Sequence, residues 1–134
     1  LEARKLIEGA TCALAAQRIN VEQLALLQQQ LDEMAEENRQ ETITEKADEK
    51  FNCLIAEAAG NSALSATITW LWQLRNESEI STHFHQRLRE EGDRPILADH
   101  QVILEALRAG DADAARAAMS GHLQRVIDHL LEVM

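Results

Sequence analysis

The feature that most constrains the fold is the spacing of apolar residues, which recur every three or four positions and form no alternating runs. Intervals of three and four place side chains on one face of an α-helix, whereas a half-buried strand needs strict alternation. Only one proline occurs in 134 residues, and Ala, Leu, Glu, Gln and Arg, which enter helices at little cost, dominate the chain. The pattern therefore predicts an all-α domain.

Glycine, proline and capping residues divide this pattern into six predicted helices within one domain, residues 1–134. Short connections between most of them favour antiparallel packing, as in a helix bundle. The polar stretch "AEENRQET" is predicted to be a connection or a frayed helix end. The predicted helices cover approximately residues 1–18, 20–34, 44–59, 62–89 with a break near 80–82, 95–110 and 111–134. The signals used are Asn20, Ser62, Asp93 and either Asp111 or Asp113 as N-caps, Gly60, Gly92 and Gly110 as ends, and Pro95 in a first turn.

The charge of the chain restricts its partners, because 23 acidic residues against 13 basic ones give a net charge of −10. Such a surface repels phosphate backbones, so we expect no nucleic-acid binding by this chain alone. No apolar run is long enough to span a membrane, and no signal peptide is recognisable. Cys12 and Cys53 lack a metal or redox spacing and are interpreted as reduced thiols, so a cytoplasmic location is expected. The sequence begins within a predicted helix, which suggests a domain cut from a longer protein.

Two histidines occupy matching positions in the last predicted hairpin, "ADHQVILEALRAGDADAARAAMSGHL". His100 lies 10 residues before Gly110, and His122 lies 11 residues after Asp111. At about 1.5 Å per residue, both lie roughly 15 Å from the turn. Each falls within the apolar stripe of its helix, so antiparallel packing would bring the two imidazoles level and facing the same interior.

Asp48 and Asn52 flank the apolar stripe of the third predicted helix and share one face, because they are four residues apart. One Asp and two His from three helices of a bundle form a reasonable ligand set for Zn²⁺ or Ni²⁺. The alternative is that Asp48 pairs with His100 or a nearby Arg as a hydrogen-bonded core group without metal. Spacing alone leaves both interpretations open.

Arg4 and Arg75 are candidates to bind a carboxylate, because a guanidinium can hold one through two parallel hydrogen bonds. Glu8, one helical turn from Arg4, could orient it. A surface ion pair is the alternative interpretation for each arginine. The inward stripe of the first helix is predicted to be Leu6, Ala10, Ala13, Leu14 and Gln17.

Catalytic motifs are not recognisable, and no catalytic residue is predicted. A metal-dependent hydrolase would need a general base near the metal, for which the sequence offers only Glu8 or Glu57. His83 and His85, two residues apart, are predicted to face solvent. We therefore expect a protein that is not an enzyme.

Three blocks, "LEARKLIEG", "ADEKFNCLIAEAAGNSAL" and the hairpin that contains His100 and His122, resemble the FadR C-terminal (FCD) domain. This is the effector-binding domain of GntR-family bacterial transcription regulators, and the resemblance covers essentially the whole chain. The stretches "WLWQLRNESEI" and "REEGDRPILADH" are similar to regulators of hexuronate catabolism, the UxuR and ExuR type. The resemblance implies a dimerising antiparallel bundle of six or seven helices, joined in the full protein to an N-terminal winged helix-turn-helix that this chain lacks.

The same resemblance implies a divalent metal held by one Asp and three His. Asp48, His100 and His122 match three of these positions, including the 22-residue separation of the two histidines. Asn52 stands where metal-binding members have the remaining His, and an amide oxygen is a poorer ligand for Zn²⁺ or Ni²⁺ than an imidazole. Arg4 matches an arginine that contacts a carboxylate effector beside the metal.

The leading hypothesis is therefore an effector-sensing domain. It would bind a small sugar acid or hydroxy acid in the bundle core and transmit this to the DNA-binding domain. A metal-free dimerisation or interaction module is the alternative, and a metal-dependent hydrolase is the least favoured. The implied partners are a small carboxylate, a second copy of the chain, and DNA only through the missing domain.

Overall fold

The computed structural model describes residues 1–40, 46–78, 83 and 97–133. Helices account for nearly all of these residues, and the described part of the chain contains no strand. This confirms the predicted all-α class. The helices are α1 (Glu2–Arg18), α2 (Val21–Arg39), α3 (Lys46–Ala58), α4 (Ser62–Glu77), α5 (Leu97–Ala109) and α6 (Ala112–Val133).

Most helix ends lie where the capping signals predicted them. Asn20 caps α2 in a reciprocal capping box with Gln23. Gly60 and Gly110 adopt left-handed φ values of 68° and 67°, as expected of the residue just after a helix. Asp111 begins α6, because its carboxylate accepts a hydrogen bond from the Ala114 amide. The prediction that Ser62 caps α4 is wrong: the preceding Asn61 accepts from the amides of Ala63 and Leu64.

Two predicted boundaries differ from the structure. The helix α2 continues to Arg39, through part of the stretch predicted as a connection, because its residues are good helix formers and Gln40 still bonds to Glu36. The helix α4 ends at Glu77, where Ser78 is extended, and not near residue 89. The predicted start at Thr44, the break near 80–82 and the signals at Gly92, Asp93 and Pro95 lie outside the described residues.

The helices pack around α1 and α3. The last helix, α6, packs along α1 and also on α5, while α2 packs on α3 and α5, and α4 on α3 and α1. Gly9 permits the close approach of α1 and α6, since a Cβ there would lie 2.7 Å from the Ser120 Oγ. Although only Ile19 and Asn20 join α1 to α2, these two helices do not pack on each other, because both linking residues are extended.

The main core lies between α1, α2, α3, α5 and α6, with Phe51, Ile103, Leu107 and Met119 among its buried side chains. The predicted inward stripe of α1 is wrong at its ends, where Leu6 is 67% exposed and Gln17 is also exposed. The buried face instead includes the polar residues Arg4, Glu8 and Thr11. The predicted face was therefore rotated toward Leu6 and Gln17 and away from the buried Arg4 and Glu8. None of the described helices is both long and apolar enough to cross a membrane.

Candidate metal and carboxylate site

The α5–α6 hairpin places its two histidines side by side in the interior. His100 is fully buried, His122 is 5% exposed, and their ring centroids are 4.5 Å apart at an interplanar angle of 65°. Phe51 of α3 packs edge-on against His100, with ring centroids 5.2 Å apart. Because the two histidines lie at similar distances from the turn, antiparallel packing brings their rings into direct contact.

Asp48, from the first turn of α3, completes a triad with these histidines. Its Oδ1 lies 2.9 Å from Nε2 of His100, and one ligand atom from each of the three residues lies within 4.8 Å of the others. Distances of this size allow one ion at about 2.0–2.2 Å from each ligand after small side-chain adjustments. Imidazole nitrogen and carboxylate oxygen are donors suited to Zn²⁺ or Ni²⁺, so the residues fit a divalent metal.

The protonation states at the triad also suit a cation. Burial alone would raise the pKa of Asp48, but its interactions with His100, His122 and Arg4 hold the pKa well below its usual range. Burial and the neighbouring His100 lower the pKa of His122, against the opposing effect of Asp48 and Asp99. At neutral pH, Asp48 is therefore an ionised carboxylate and His122 a neutral imidazole, the forms that bind metals.

Asn52, the residue that replaces the expected third histidine, is buried beside Asp48. Its amide nitrogen donates to the Asp48 main-chain oxygen over 2.9 Å and to Oδ1 over 3.0 Å. In this arrangement Asn52 orients the carboxylate, since an amide nitrogen has no lone pair for a metal.

A second polar cluster joins α1 to α4. Nε of Arg4 donates to Oε2 of Glu8 over 2.9 Å, and the Trp72 indole N–H donates to Oε1 of the same carboxylate over 3.4 Å. The Arg4 guanidinium carbon lies 4.3 Å from a Trp72 ring centroid, and that of Arg75 lies 4.9 Å from the ring. Burial raises the pKa of Glu8, an effect that Arg4 opposes. The predicted orienting role of Glu8 toward Arg4 thus has a direct hydrogen bond behind it.

Arg4 connects this cluster with the triad. Only 7% of Arg4 is exposed, yet its charge lowers the pKa of Asp48. Among the described residues, its Nε–H bond to Glu8 is the one hydrogen bond it makes, so neither terminal Nη group has a hydrogen-bond partner there. A buried, forked donor beside a set of metal ligands is an arrangement that suits a small anion.

The comparison with protein families identifies the fold. Residues 1–125 match the family described as the FCD domain. The chain belongs to this family. The solved structure of E. coli McbR/YncC superimposes on this chain with a TM-score of 0.81, at 20% identity, over 99% of this chain and 66% of the other. That likeness supports the bundle fold of this FCD domain.

The relatives of this FCD domain include named transcription regulators. It is 35% identical to the Uxu operon transcriptional regulator of Escherichia coli K12, over 98% of this chain and 52% of the relative. It is 31% identical to the Uxu operon regulator of Haemophilus influenzae, over 99% and 50%. The Exu regulon transcriptional regulator of Escherichia coli K12 is 29% identical, over 92% and 47%. The chain spans about half the length of these relatives.

Sequence reasoning missed one member of the site, Asp99. Its Oδ2 lies 3.0 Å from Nδ1 of His122 and also accepts from Nε of Arg125 over 2.8 Å. Arg125 stands one turn after His122, on the same helix face, and this spacing was a signal that could have pointed to the contact. Asp99 itself is next to His100 in sequence, which points it to a different side of α5.

The remaining predicted polar residues lie away from the triad or outside the described residues. His83 is exposed, as predicted, and His85 lies outside the described residues. Glu57, one of the two acids considered as a general base, is exposed on α3, and the other, Glu8, is bound by Arg4 and Trp72.

Proposed function

We propose that this FCD domain is the sensor of a DNA-binding transcription regulator and binds a small sugar acid or hydroxy acid beside a divalent metal. The observation that supports this most directly is the buried Arg4, whose terminal Nη groups have no hydrogen-bond partner among the described residues, next to the Asp48–His100–His122 triad. A carboxylate bound there could accept two parallel hydrogen bonds from the Arg4 guanidinium.

Asp48, His100 and His122 would hold the metal, with Zn²⁺ or Ni²⁺ as the candidates. Three protein ligands leave at least one coordination position for an oxygen of the effector. Asn52 would contribute by holding Asp48 in place, or as a weak ligand if its amide turns over. When bound, the ion supplies two positive charges and a Lewis acid for a carboxylate or hydroxyl oxygen.

The charges of the site favour an anionic ligand. Glu8 and Asp48 are balanced by Arg4 and Arg75, both of which lie against the Trp72 ring. A bound divalent ion would therefore give the site a net positive charge, because the two carboxylates are already neutralised by the two arginines. A small carboxylate is the natural complement, held by the Arg4 fork at one end.

The names of the relatives indicate which acids to test first. Those relatives regulate the Uxu operon and the Exu regulon by name, and the resemblance noted above links that type to hexuronates. A hexuronate has a carboxylate that Arg4 could bind and hydroxyl groups that could reach the metal held by the triad. We therefore place hexuronates before aldonates and lactate as effectors.

The domain is proposed to act as a homodimer in the cytoplasm. The helices α1 and α4 expose Leu6, Trp70 and Leu74, which are candidates for the dimer surface. Contact with DNA is assigned to a separate domain of the full-length regulator, because the net charge of this chain is −10. Effector binding would shift helix packing with a coupling free energy of about 1–3 kcal/mol.

The test combines metal content with effector binding. The protein, purified without chelator, is examined by elemental analysis, and thermal unfolding is followed with hexuronates, aldonates and lactate, with and without added Zn²⁺ or Ni²⁺. We expect stabilisation by at least one acid, enhanced by metal and lost in Arg4→Gln. Arg108→Gln, which removes an exposed arginine bonded to Gln28, is the matched control and should respond as wild type. Failure of every acid to stabilise the protein, with or without metal, would overturn the proposal.

A further inference from the structure

His122 lies between two carboxylates: Asp48, which belongs to the triad, and Asp99, which contacts Nδ1 on the other side of the ring. Nδ1 of His122 lies 3.0 Å from Oδ2 of Asp99, a residue outside the triad. The side chains are 6% and 11% exposed, so the contact is largely shielded from water. With Nδ1 engaged by Asp99, Nε2 is the nitrogen of His122 that remains for a metal.

Asp99 is itself held in a fixed orientation by Arg125 of α6. Nε of Arg125 donates to Oδ2 over 2.8 Å, and Nη2 donates to Oδ1 over 2.6 Å. Two parallel bonds between a guanidinium and a carboxylate fix the plane of the carboxylate. The chain Arg125–Asp99–His122 therefore runs from the half-exposed Arg125 to the buried triad.

We propose that Asp99 and Arg125 are positioning residues for the metal site. Asp99 accepts the proton on Nδ1 of His122 in a hydrogen bond, so the neutral ring carries its proton there and keeps the Nε2 lone pair for the metal. Arg125 holds Asp99 in the orientation that this bond requires. The inference rests on the proposed metal site and adds the groups that select the tautomer of one of its ligands.

The physical reason lies in the two forms of a neutral imidazole. A proton on Nε2 blocks the lone pair that would bind the metal, and without an acceptor at Nδ1 that form is no longer disfavoured. Carboxylates that bond to metal-bound histidines fix the tautomer and the ring orientation, and their loss costs about 10- to 100-fold in metal affinity. An exposed Arg–Asp pair with only a surface role would leave metal affinity unchanged.

The experiment measures Zn²⁺ affinity by chelator competition in wild type and in three variants. We expect Asp99→Ala to weaken binding by about 10- to 100-fold, and Asp99→Asn, whose amide oxygen still accepts from Nδ1, by less. Arg125→Gln, which leaves Asp99 in place, should give the smallest loss. Asp32→Ala, which removes an exposed carboxylate bonded to Gln28, is the control and should bind as wild type.

A second readout does not need the metal. Two-dimensional NMR of the imidazole nitrogens of the metal-free protein should show His122 with its proton on Nδ1 in wild type, and a shift toward Nε2 in Asp99→Ala. Thermal unfolding of the metal-free variants separates loss of fold from loss of tautomer control, and Asp99→Asn and Arg125→Gln serve if Asp99→Ala does not fold.

The outcomes distinguish this inference from the proposed function. If wild type binds Zn²⁺ but Asp99→Ala binds it equally tightly and keeps the same tautomer, the positioning role is wrong and the metal site stands. If wild type binds neither Zn²⁺ nor Ni²⁺, the metal site and the positioning role are both overturned.

Discussion

The two buried histidines of this domain each pair with a carboxylate at about the same distance, yet the two pairs differ in construction. His100 bonds through Nε2 to Asp48, which faces the triad, over 2.9 Å. His122 bonds through Nδ1 to Asp99, which lies behind the ring and is anchored by Arg125, over 3.0 Å. A metal bound by the triad would replace the first bond and leave the second intact.

The difference teaches that a short His–Asp contact does not by itself define a ligand pair. Asp48 is held from α3 by Asn52 and points to the space that both imidazoles share. Asp99 is held from α6 by a half-exposed Arg and occupies the outer side of His122. The partner that orients each carboxylate determines whether it faces the metal site or supports a ligand from behind.

Removal of His100 should have the largest effect. His100→Ala deletes a fully buried ligand and leaves the Asp48 carboxylate without its nearest partner. We expect metal affinity to fall by more than about 100-fold, beyond the loss typical of a supporting residue, and metal-free stability to fall by about 3 kcal/mol. Chelator competition and urea unfolding measure the two effects.

The exposed His83 provides the control for this experiment, and His83→Ala should match wild type in both measurements. A wild-type protein that contains no metal, together with a His100→Ala variant of unchanged stability, would contradict the prediction. That result would favour the alternative of a metal-free interaction module.

The second prediction concerns Asn52, the residue that holds Asp48 in the first of the two pairs. Asn52→His introduces the imidazole that the family resemblance leads one to expect, and Zn²⁺ affinity should rise by about tenfold or more, because imidazole is a better ligand than an amide. Asn52→Leu, of similar size, removes both bonds to Asp48 and should lower the affinity. Isothermal titration of both variants tests this, and a decrease in Asn52→His would show that the amide is needed where it stands.

The third prediction contrasts the partly buried Asp99 with the buried Glu8 through the pH dependence of stability. Burial raises the pKa of Glu8 above its ordinary 4.5, so its contribution to stability is present below about pH 4.5 and is lost as the pH rises through the raised value. Although burial opposes ionisation of Asp99, Arg125 and His122 lower its pKa below the ordinary 3.8, so its contribution is present above about pH 3.8 and is lost as the pH falls.

The difference in the free energy of unfolding between variant and wild type should therefore change with pH in opposite directions for the two acids, when measured in the presence of chelator. Glu8→Gln should gain stability relative to wild type as the pH rises above about 4.5, because the raised pKa makes ionisation of Glu8 costly. Asp99→Asn should be less stable than wild type at neutral pH and approach it below about pH 4. Urea unfolding across this range measures both, and parallel slopes would show that the environments of the two carboxylates are alike.

The sequence was sufficient for the fold class and for residues that share an apolar stripe. Asp48, His100 and His122 could be found because each lies within or beside such a stripe, where a polar residue is conspicuous. The family resemblance explained why these residues occur together. The same reasoning ranked Arg4 and Glu8 only as candidates and rotated the buried face of α1, because ion pairing between buried residues is invisible to a hydrophobic pattern.

Contacts between different faces and different helices could not be predicted in this way. The Asp99–His122 bond joins residues 23 positions apart, and Asp99 does not share the stripe of His100. Likewise, the bond of Trp72 to Glu8 depends on how α4 lies on α1. Such contacts follow from helix packing, which local periodicity does not specify.

The smallest effect is expected at the turn that aligns the two imidazoles. Gly110 has a φ of 67°, so Gly110→Ala should destabilise the protein by about 1 kcal/mol through backbone strain alone, since the nearest atom to an added Cβ, the Ala16 oxygen, is 3.5 Å away. Among the described residues, a Cβ added at Gly121, inside α6, would contact only the Arg125 side chain, at 3.7 Å, so Gly121→Ala should stabilise the protein by up to about 1 kcal/mol. Thermal unfolding gives the signs, and chelator competition should give unchanged Zn²⁺ affinity in both folded variants. A loss of affinity in Gly110→Ala alone would mean that the turn, and not the packing of α5 on α6, sets the distance between His100 and His122.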